Sequence, residues 1–317
     1  MTYKGQPGGV NKQQSDTLWE LKAFFIFTVI FAHMPMQGDG LLAIICRYIG
    51  VVGVPCFLLM SGYFDYGSKR PLWQRIKNLL VPLLIWGSLT FIIDLIPKVN
   101  QGIEWGGVIK GWALWVYGCG TWLYFVPMLM WCMVLNRYVN KWVLIGIALA
   151  FTAIGVDLIP YNNVLTPYIN PFNLIIYFMT GRLAREYKWQ FDDRRLLIPA
   201  IIICIVSLAI WNERLPHYVN LCCIPFCVSV FVLAYYVFSN IHASWLIWIG
   251  KVSFVIYFCH MQIGGKVDSL FSSYCVTEFE IVKYPIAFCV IVFFVFFLEK
   301  LLKLLPMDFT KSFGFRS

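Results

Sequence analysis

Long apolar runs separated by short polar segments dominate the chain. Ten of these runs are close to the twenty residues that cross a hydrocarbon layer of about 30 Å as a helix. They lie at 19–37, 42–64, 77–97, 122–138, 142–159, 168–186, 196–212, 218–239, 250–270 and 281–303. An eleventh run at 106–118 is shorter and is broken by glycine. The pattern predicts an all-α integral membrane protein with about ten transmembrane helices and one short re-entrant or interfacial helix.

The polar ends of the chain predict a single membrane domain with two tails. Residues 1–17 are polar and rich in Gly and Gln, and they lack the apolar core and small-residue cleavage site of a signal peptide. We expect them to form a flexible cytoplasmic tail. Residues 18–306 then form one transmembrane domain, and 307–317 form a cytoplasmic C-terminal tail.

The distribution of basic residues predicts how the helices are oriented. The cations cluster in alternate loops and at both ends: Lys4, Lys12, Lys69, Arg70, Arg75, Lys77, Arg137, Lys141, Arg182, Arg185, Lys188, Arg194, Arg195, Lys300, Lys303, Lys311 and Arg316. All of them lie on one side only if ten segments cross and 106–118 does not. Because Lys and Arg collect in cytoplasmic loops, we expect both termini in the cytoplasm and a multi-pass protein of the plasma or inner membrane.

Composition excludes most soluble classes of protein. Of the 317 residues, 60% are hydrophobic and only 13% are charged, with a mean hydropathy of +0.72. Soluble chains carry about twice that share of charge. The net charge of +9 therefore reflects topology, and we expect no nucleic-acid partner. The eleven cysteines lie mostly inside apolar runs and show no zinc-ribbon spacing, so we expect no metal.

The first run places a cation and a histidine on one stripe. Lys22 and His33 are eleven residues apart, which is about 20° from three full turns and roughly 16 Å along a helix. Ionisable residues inside a span usually face the interior of a bundle. Alternatively, Lys22 is a snorkelling anchor and His33 bonds to a neighbouring helix.

The second run is weakened by glycine and proline and ends at a basic loop. Ser61 and Tyr63 lie near its end, and the loop that follows carries Arg70 and Arg75. Paired guanidinium groups suit an anion site, although the positive-inside pattern alone also accounts for this loop.

A late run carries a second polar stripe. Ser253, Tyr257 and His260 follow the spacing i, i+4, i+7, so they share one helix face, and Lys251 lies at the end predicted to be cytoplasmic. Two helices therefore share a layout with a cation near the cytoplasm and a histidine further out.

Five stretches resemble motifs of the acyltransferase 3 family of integral-membrane acyltransferases. They are LKAFFIFTVIFAH, GVPCFLLMSGYF, RPLWQRIKNLLVP, TWLYFVPML and GKVSFVIYFCHM, and they are spread over residues 21–263, which is most of the chain. Two positions depart from the family pattern. Lys22 stands where the family often has Arg, and Thr121 stands where it often has His before the middle aromatic motif.

The resemblance implies acyl transfer from acetyl-CoA, or another acyl-CoA, as co-substrate, without a metal. The implied acceptor is a hydroxyl of an envelope glycan or lipid-linked saccharide. His33 is the implied general base in a direct transfer. The implied donor-binding residues are Lys22, Arg70, Arg75, Ser61 and Tyr63, and those toward the acceptor are Trp122, Ser253, Tyr257, His260 and Asp94.

Other functions remain open from sequence. A multi-span transporter or flippase of a glycan intermediate would also use broken helices and buried polar residues. An accessory subunit of an envelope complex would account for the spans but not for the two cation–histidine stripes. A covalent acyl-enzyme on Ser61 or Cys259 is a further alternative to direct transfer. The acyl chain length, the acceptor and the oligomeric state are not encoded in these patterns.

Overall fold

The computed structural model describes residues 12–34, 36, 40–99, 105–158, 166–211, 217, 219–274, 281–305 and 309–315. Within these ranges the chain forms eleven α-helices and no strand. The helices are α1 (Lys12–His33), α2 (Leu41–Asp65), α3 (Leu72–Val99), α4 (Trp105–Tyr117), α5 (Phe125–Tyr138), α6 (Lys141–Leu158), α7 (Pro171–Glu186), α8 (Leu197–Trp211), α9 (Cys223–Phe238), α10 (Ser244–Tyr274) and α11 (Lys283–Leu304). The predicted all-helical class is confirmed.

The number of membrane crossings is supported only in part. Among the described residues, five helices are long and apolar enough to cross a membrane: Leu41–Asp65, Leu72–Ile96, Arg194–Trp211, Ser244–Phe271 and Lys283–Leu304. A sixth crossing exists if the bent pair α4 and α5, which meet at 57°, forms one broken span. Ten crossings and cytoplasmic termini remain predictions.

Both ends of the described chain pack against the helical domain. Helix α1 begins at Lys12, before the tail boundary expected after residue 17. Lys12 and Gln13 are exposed, whereas Thr17 is buried and its hydroxyl donates to the Gln13 carbonyl. Near the C-terminus, the Phe313 carbonyl accepts a 3.0 Å hydrogen bond from the Trp86 indole of α3. Predicted tail residues 1–11, 307–308 and 316–317 lie outside the described residues.

Helix α1 is the central element, and its tightest partner is α10. The two backbones touch where Gly250 faces the Trp19 carbonyl, so closely that a β-carbon on Gly250 would overlap the carbonyl oxygen. The next residue of α1, the buried Glu20, accepts a 2.8 Å hydrogen bond through its carboxylate from the Ala243 amide at the start of α10. A carboxylate at a helix N-terminus also interacts favourably with the helix dipole. These contacts fix α1 and α10 side by side.

The second close pairing joins α2 to α7. Gly62 lies against the Phe178 carbonyl and Gly181 lies against the Leu59 carbonyl, so each helix offers a glycine to the other's backbone. Small residues at helix interfaces allow close packing in membranes, where burial of apolar area provides little driving force for helix association. Helix α2 also packs on α1, which places it between α1 and α7.

We predict that Gly250→Ala separates α1 from α10. Its new methyl group would overlap the Trp19 carbonyl, and overpacking of this kind costs about 1–3 kcal/mol. The variant should therefore unfold at lower temperature in detergent than the parent. The matched control is Gly265→Ala on the same helix, where no atom lies within 4 Å of the added carbon. Equal melting temperatures for the two variants would contradict the close contact.

Candidate active site

A cavity that is partly open to the exterior lies between α1, α2, α3, α5 and α10, with about 610 Å³ of space not filled by protein atoms. One end carries two lysines and a tryptophan, the walls are mostly apolar, and three hydroxyl groups line the interior. The lining residues are Trp19, Lys22, Val29, Val54, Phe57, Ser61, Leu79, Phe125, Leu129, Gly250, Lys251, Ser253, Phe254 and Tyr257. Four predicted site residues, Lys22, Ser61, Ser253 and Tyr257, therefore meet in one cavity.

The lysine end of the cavity is framed by aromatic rings. The Lys22 ammonium lies 4.2 Å from the centre of the Trp19 ring and 5.1 Å from that of Phe64, distances at which a cation is attracted to an aromatic face. Lys251 lines the same end from α10. The sequence prediction did not include Lys251 among the binding residues. Its position at the end of the stripe that carries Ser253 and His260 could have indicated this role.

Ser61 and Ser253 differ from most other hydroxyl residues of the described helices. Helical Ser and Thr side chains commonly bond to a carbonyl in the preceding turn, and here Thr28, Thr152 and Ser229 do so at 2.7–2.8 Å. Neither Ser61 nor Ser253 makes a hydrogen bond to any described residue, and both face the cavity. Their hydroxyls are therefore available to a bound molecule.

His33 and His260 contact each other just beyond the other end of the cavity. The ring centres are 4.9 Å apart and the ring planes are inclined by 52°. His33 is the last residue of α1, about one turn beyond Val29, and His260 lies about one turn beyond Tyr257 on α10. Sequence spacing placed each histidine on a polar stripe, and the packing of α1 on α10 brings the two together.

Hydrogen bonding fixes the protonation pattern of His260. The ring is buried, 2% exposed, and its Nδ1 is hydrogen-bonded to the Tyr257 carbonyl. A carbonyl oxygen can only accept, so we assign the hydrogen to Nδ1, which leaves Nε2 of the neutral ring as an acceptor. Within the described residues, this buried Nε2 has no hydrogen-bond partner.

Tyr257 joins the histidine pair to the elbow between α4 and α5. Its hydroxyl donates to the Trp122 carbonyl, and its ring packs on Phe125 with centres 5.4 Å apart. The elbow turns through Gly118 and Gly120, whose φ angles of 93° and 71° favour glycine. The indole Nε1 of Trp122 is buried without a hydrogen-bond partner among the described residues.

Thr121 has a structural place in this elbow. Its side chain accepts a hydrogen bond from the Leu123 amide at 3.3 Å and donates to the Trp115 carbonyl at 3.1 Å. It thus caps the short 3₁₀ turn Trp122–Tyr124. Thr121, which departs from the family pattern, therefore holds this turn in place.

The remaining predicted residues lie outside the cavity lining. Arg75 forms an ion pair with Asp65, which also accepts from Asn136 at 2.7 Å. The Tyr63 hydroxyl accepts a 3.0 Å hydrogen bond from Arg185. Arg70 is exposed after α2, and Asp94 lies half-buried on α3. Arg75 therefore has its charge already compensated by a carboxylate.

No group of three or more His, Cys, Asp or Glu side chains within the described ranges has an arrangement that could hold a metal ion.

The chain belongs to the acyltransferase 3 family. A family model described as an acyltransferase domain matches residues 21–300, which include every residue that lines the cavity except Trp19. No curated protein and no solved structure matches the chain significantly. The family and the apolar helices define a membrane acyltransferase, and the family resemblance found from the sequence is confirmed.

We predict that Tyr257→Phe loosens the elbow without disturbing the apolar packing. The change removes a part-buried hydrogen bond to the Trp122 carbonyl, and an acceptor left unpaired typically costs about 1–3 kcal/mol. Thermal unfolding in detergent should show a clear decrease in melting temperature. The control is Tyr117→Phe, which removes an exposed hydrogen bond from Trp131 and should change stability little. A larger effect at Tyr117 would refute this role for Tyr257.

Proposed function

We propose that the protein transfers an acyl group, most simply acetyl, from cytoplasmic acyl-CoA to a hydroxyl of an envelope glycan or lipid-linked sugar in the cell membrane. The observation that carries the proposal is the cavity itself, with two lysines at one end and two histidines just beyond the other. Membership of the acyltransferase family supports the reaction class. Donor, acceptor and residue roles are inferred from the chemistry of the side chains.

The lysine end suits the phosphate groups of the donor. Lys22 and Lys251 line this end from two adjacent helices, and Arg70 is the exposed cation that we place nearest the donor head. Arg75 is less suited than expected because Asp65 compensates its charge. Lys22 and His33 are separated by roughly 16 Å along α1, a distance that the flexible arm of CoA can span.

The part of the cavity next to the lysines suits the arm that connects the phosphates to the thioester. This arm contains amide groups separated by short apolar stretches. The hydroxyls of Ser61 and Ser253 can bond to the amides, while walls such as Phe57 and Leu129 contact the apolar parts. Ser253 is thereby assigned to the donor, whereas the sequence prediction assigned it toward the acceptor.

His33 is the proposed general base. The acceptor oxygen attacks the thioester carbonyl carbon while an imidazole nitrogen of His33 takes the hydroxyl proton. The carbon–sulfur bond then breaks, and the departing thiolate receives that proton. Neither Ser61 nor Cys259 contacts a base among the described residues, since the Cys259 thiol donates to the Ile256 carbonyl. Direct transfer is therefore preferred to an acyl-enzyme.

Trp122 is the proposed donor to the oxygen that becomes negatively charged during attack. Its buried Nε1 lacks a partner in the described part of the chain, and preorganised donors of this kind stabilise such charge. Tyr257 is a poorer donor because its hydroxyl hydrogen is engaged by the Trp122 carbonyl. We therefore assign Tyr257 to holding Trp122 in position.

We predict that His33→Ala abolishes transfer. The purified protein should release CoA thiol from acetyl-CoA in the presence of a hydroxylated saccharide, and the variant should lose about 10²–10⁴-fold in rate because the base is removed. The control is His242→Ala, a change at an exposed histidine outside the cavity, which should keep the parental rate.

The same assay separates transfer from transport. A parent protein that moves a glycan intermediate across vesicles but releases no thiol would replace the proposed function with the transporter alternative. An active, folded His33→Ala variant would remove His33 from the reaction.

We predict that Lys22→Ala acts mainly on donor binding. Removing a cation from the phosphate end should raise the KM for acyl-CoA about tenfold, with a smaller change in kcat, because the lysine is far from the reacting bond. Steady-state kinetics at constant ionic strength would measure both. Lys300→Ala, at an exposed cation of α11, is the control. An unchanged donor KM in the Lys22 variant would count against the phosphate site.

A further inference from the structure

His33 lacks the third group that usually orients a histidine base. Such bases act best when the nitrogen that does not handle the proton is held by a hydrogen bond. Within the described residues, His33 makes no hydrogen bond, and the polar ring in contact with it is His260. Helix α10 therefore carries the polar ring that is placed to orient His33.

His260 offers an acceptor that nothing else in the described chain uses. Its Nδ1–H is held by the Tyr257 carbonyl, so its ring can turn little, and its Nε2 lone pair is buried without a partner. Buried acceptors are nearly always paired, and one left alone costs about 1–3 kcal/mol. The centre of the His260 ring lies 4.9 Å from that of His33, the proposed base. An unpaired acceptor on a fixed ring at this place calls for a functional explanation.

Carboxylates of α1 and α10 do not provide a better candidate. Glu20 accepts from the Ala243 amide near the other end of α1. Asp268 forms a 2.7 Å ion pair with Lys283. Asp94, which the family resemblance placed toward the acceptor, lies on α3 outside the cavity lining. The neutral His260 ring is the group that touches His33.

We propose that His260 is the positioning residue of the reaction, and that its Nε2 accepts a hydrogen bond from the N–H of His33. This inference rests on the proposed function. The bond would hold His33 in the tautomer whose other nitrogen is unprotonated and directed at the acceptor hydroxyl. It would also stabilise the imidazolium formed when His33 takes the proton, while the proton itself passes only between the acceptor, His33 and the leaving thiolate.

Two amide variants separate this role from a structural one. In His260→Gln the side-chain oxygen can occupy the place of Nε2, whereas in His260→Asn the amide nitrogen can replace Nδ1–H and bond to the Tyr257 carbonyl. The positioning role predicts that Gln keeps activity within about tenfold of the parent and that Asn loses roughly 10²-fold or more in kcat. In both, the KM for acetyl-CoA should change less than threefold.

The kinetic experiment compares both variants with the parent and with His33→Ala, using thiol release from acetyl-CoA and thermal unfolding in the same detergent. Combining His260→Asn with His33→Ala should cost no more than His33→Ala alone, because the two residues act as a unit. The positioning role would be overturned if His260→Asn were as active as His260→Gln or more active. It would also be overturned if the losses of His260→Asn and His33→Ala were additive in the double variant.

A second readout does not depend on turnover. Nitrogen-15 NMR of histidine-labelled protein reports which ring nitrogen carries hydrogen. We expect one dominant His33 tautomer in the parent and in His260→Gln, and a mixture in His260→Asn. A His33 tautomer unaffected by either change would refute the hydrogen bond. A parent that shows the fixed tautomer but releases no thiol would refute the proposed function while leaving the His33–His260 bond established.

Discussion

The pairing of α1 with α10 is the constraint on which the rest of the site depends. At one end, Gly250 lets the two backbones touch at Trp19, and the Glu20 carboxylate binds the first turn of α10. Both helices continue without a break to the contact between His33 and His260. Because a helix rises by about 1.5 Å per residue, fixing one end of the pair sets the level at which the two histidines meet.

Two hydroxyl groups that face the cavity have no hydrogen-bond partner among the described residues and are available to a ligand. In an apolar medium each polar group needs a partner inside the protein, and in this chain many helical hydroxyls bond to their own backbone. Several polar groups at or near the cavity lack such a partner. The Ser61 and Ser253 hydroxyls face it unbonded, and the Trp122 and His260 nitrogens near it have no partner among the described residues. A bound substrate with amide, carbonyl and hydroxyl groups would satisfy them.

Sequence patterns predicted what lies within a helix better than what lies between helices. Run lengths gave the helices, and the spacing of Lys22 and of Ser253 and Tyr257 predicted the faces that now line the cavity. Spacing along one helix sets the angle between two side chains around its axis, but it does not determine which residues of a neighbouring helix they contact. The pairing of Arg75 with Asp65 across α2 and α3 was therefore beyond the sequence, as was the contact between the two histidines.

The medium also accounts for the kind of groups found at the reaction centre. An ionised side chain deep in a membrane bundle is costly unless it is paired. Among the acids of α1 and α10, Glu20 accepts from the Ala243 amide and Asp268 forms an ion pair with Lys283. The titratable side chains that meet at the C-terminal end of α1 are imidazoles, which can stay neutral before and after each transfer. In a neutral pair, charge would develop only while His33 holds the proton, and in the proposed arrangement the His260 Nε2 would then accept its N–H.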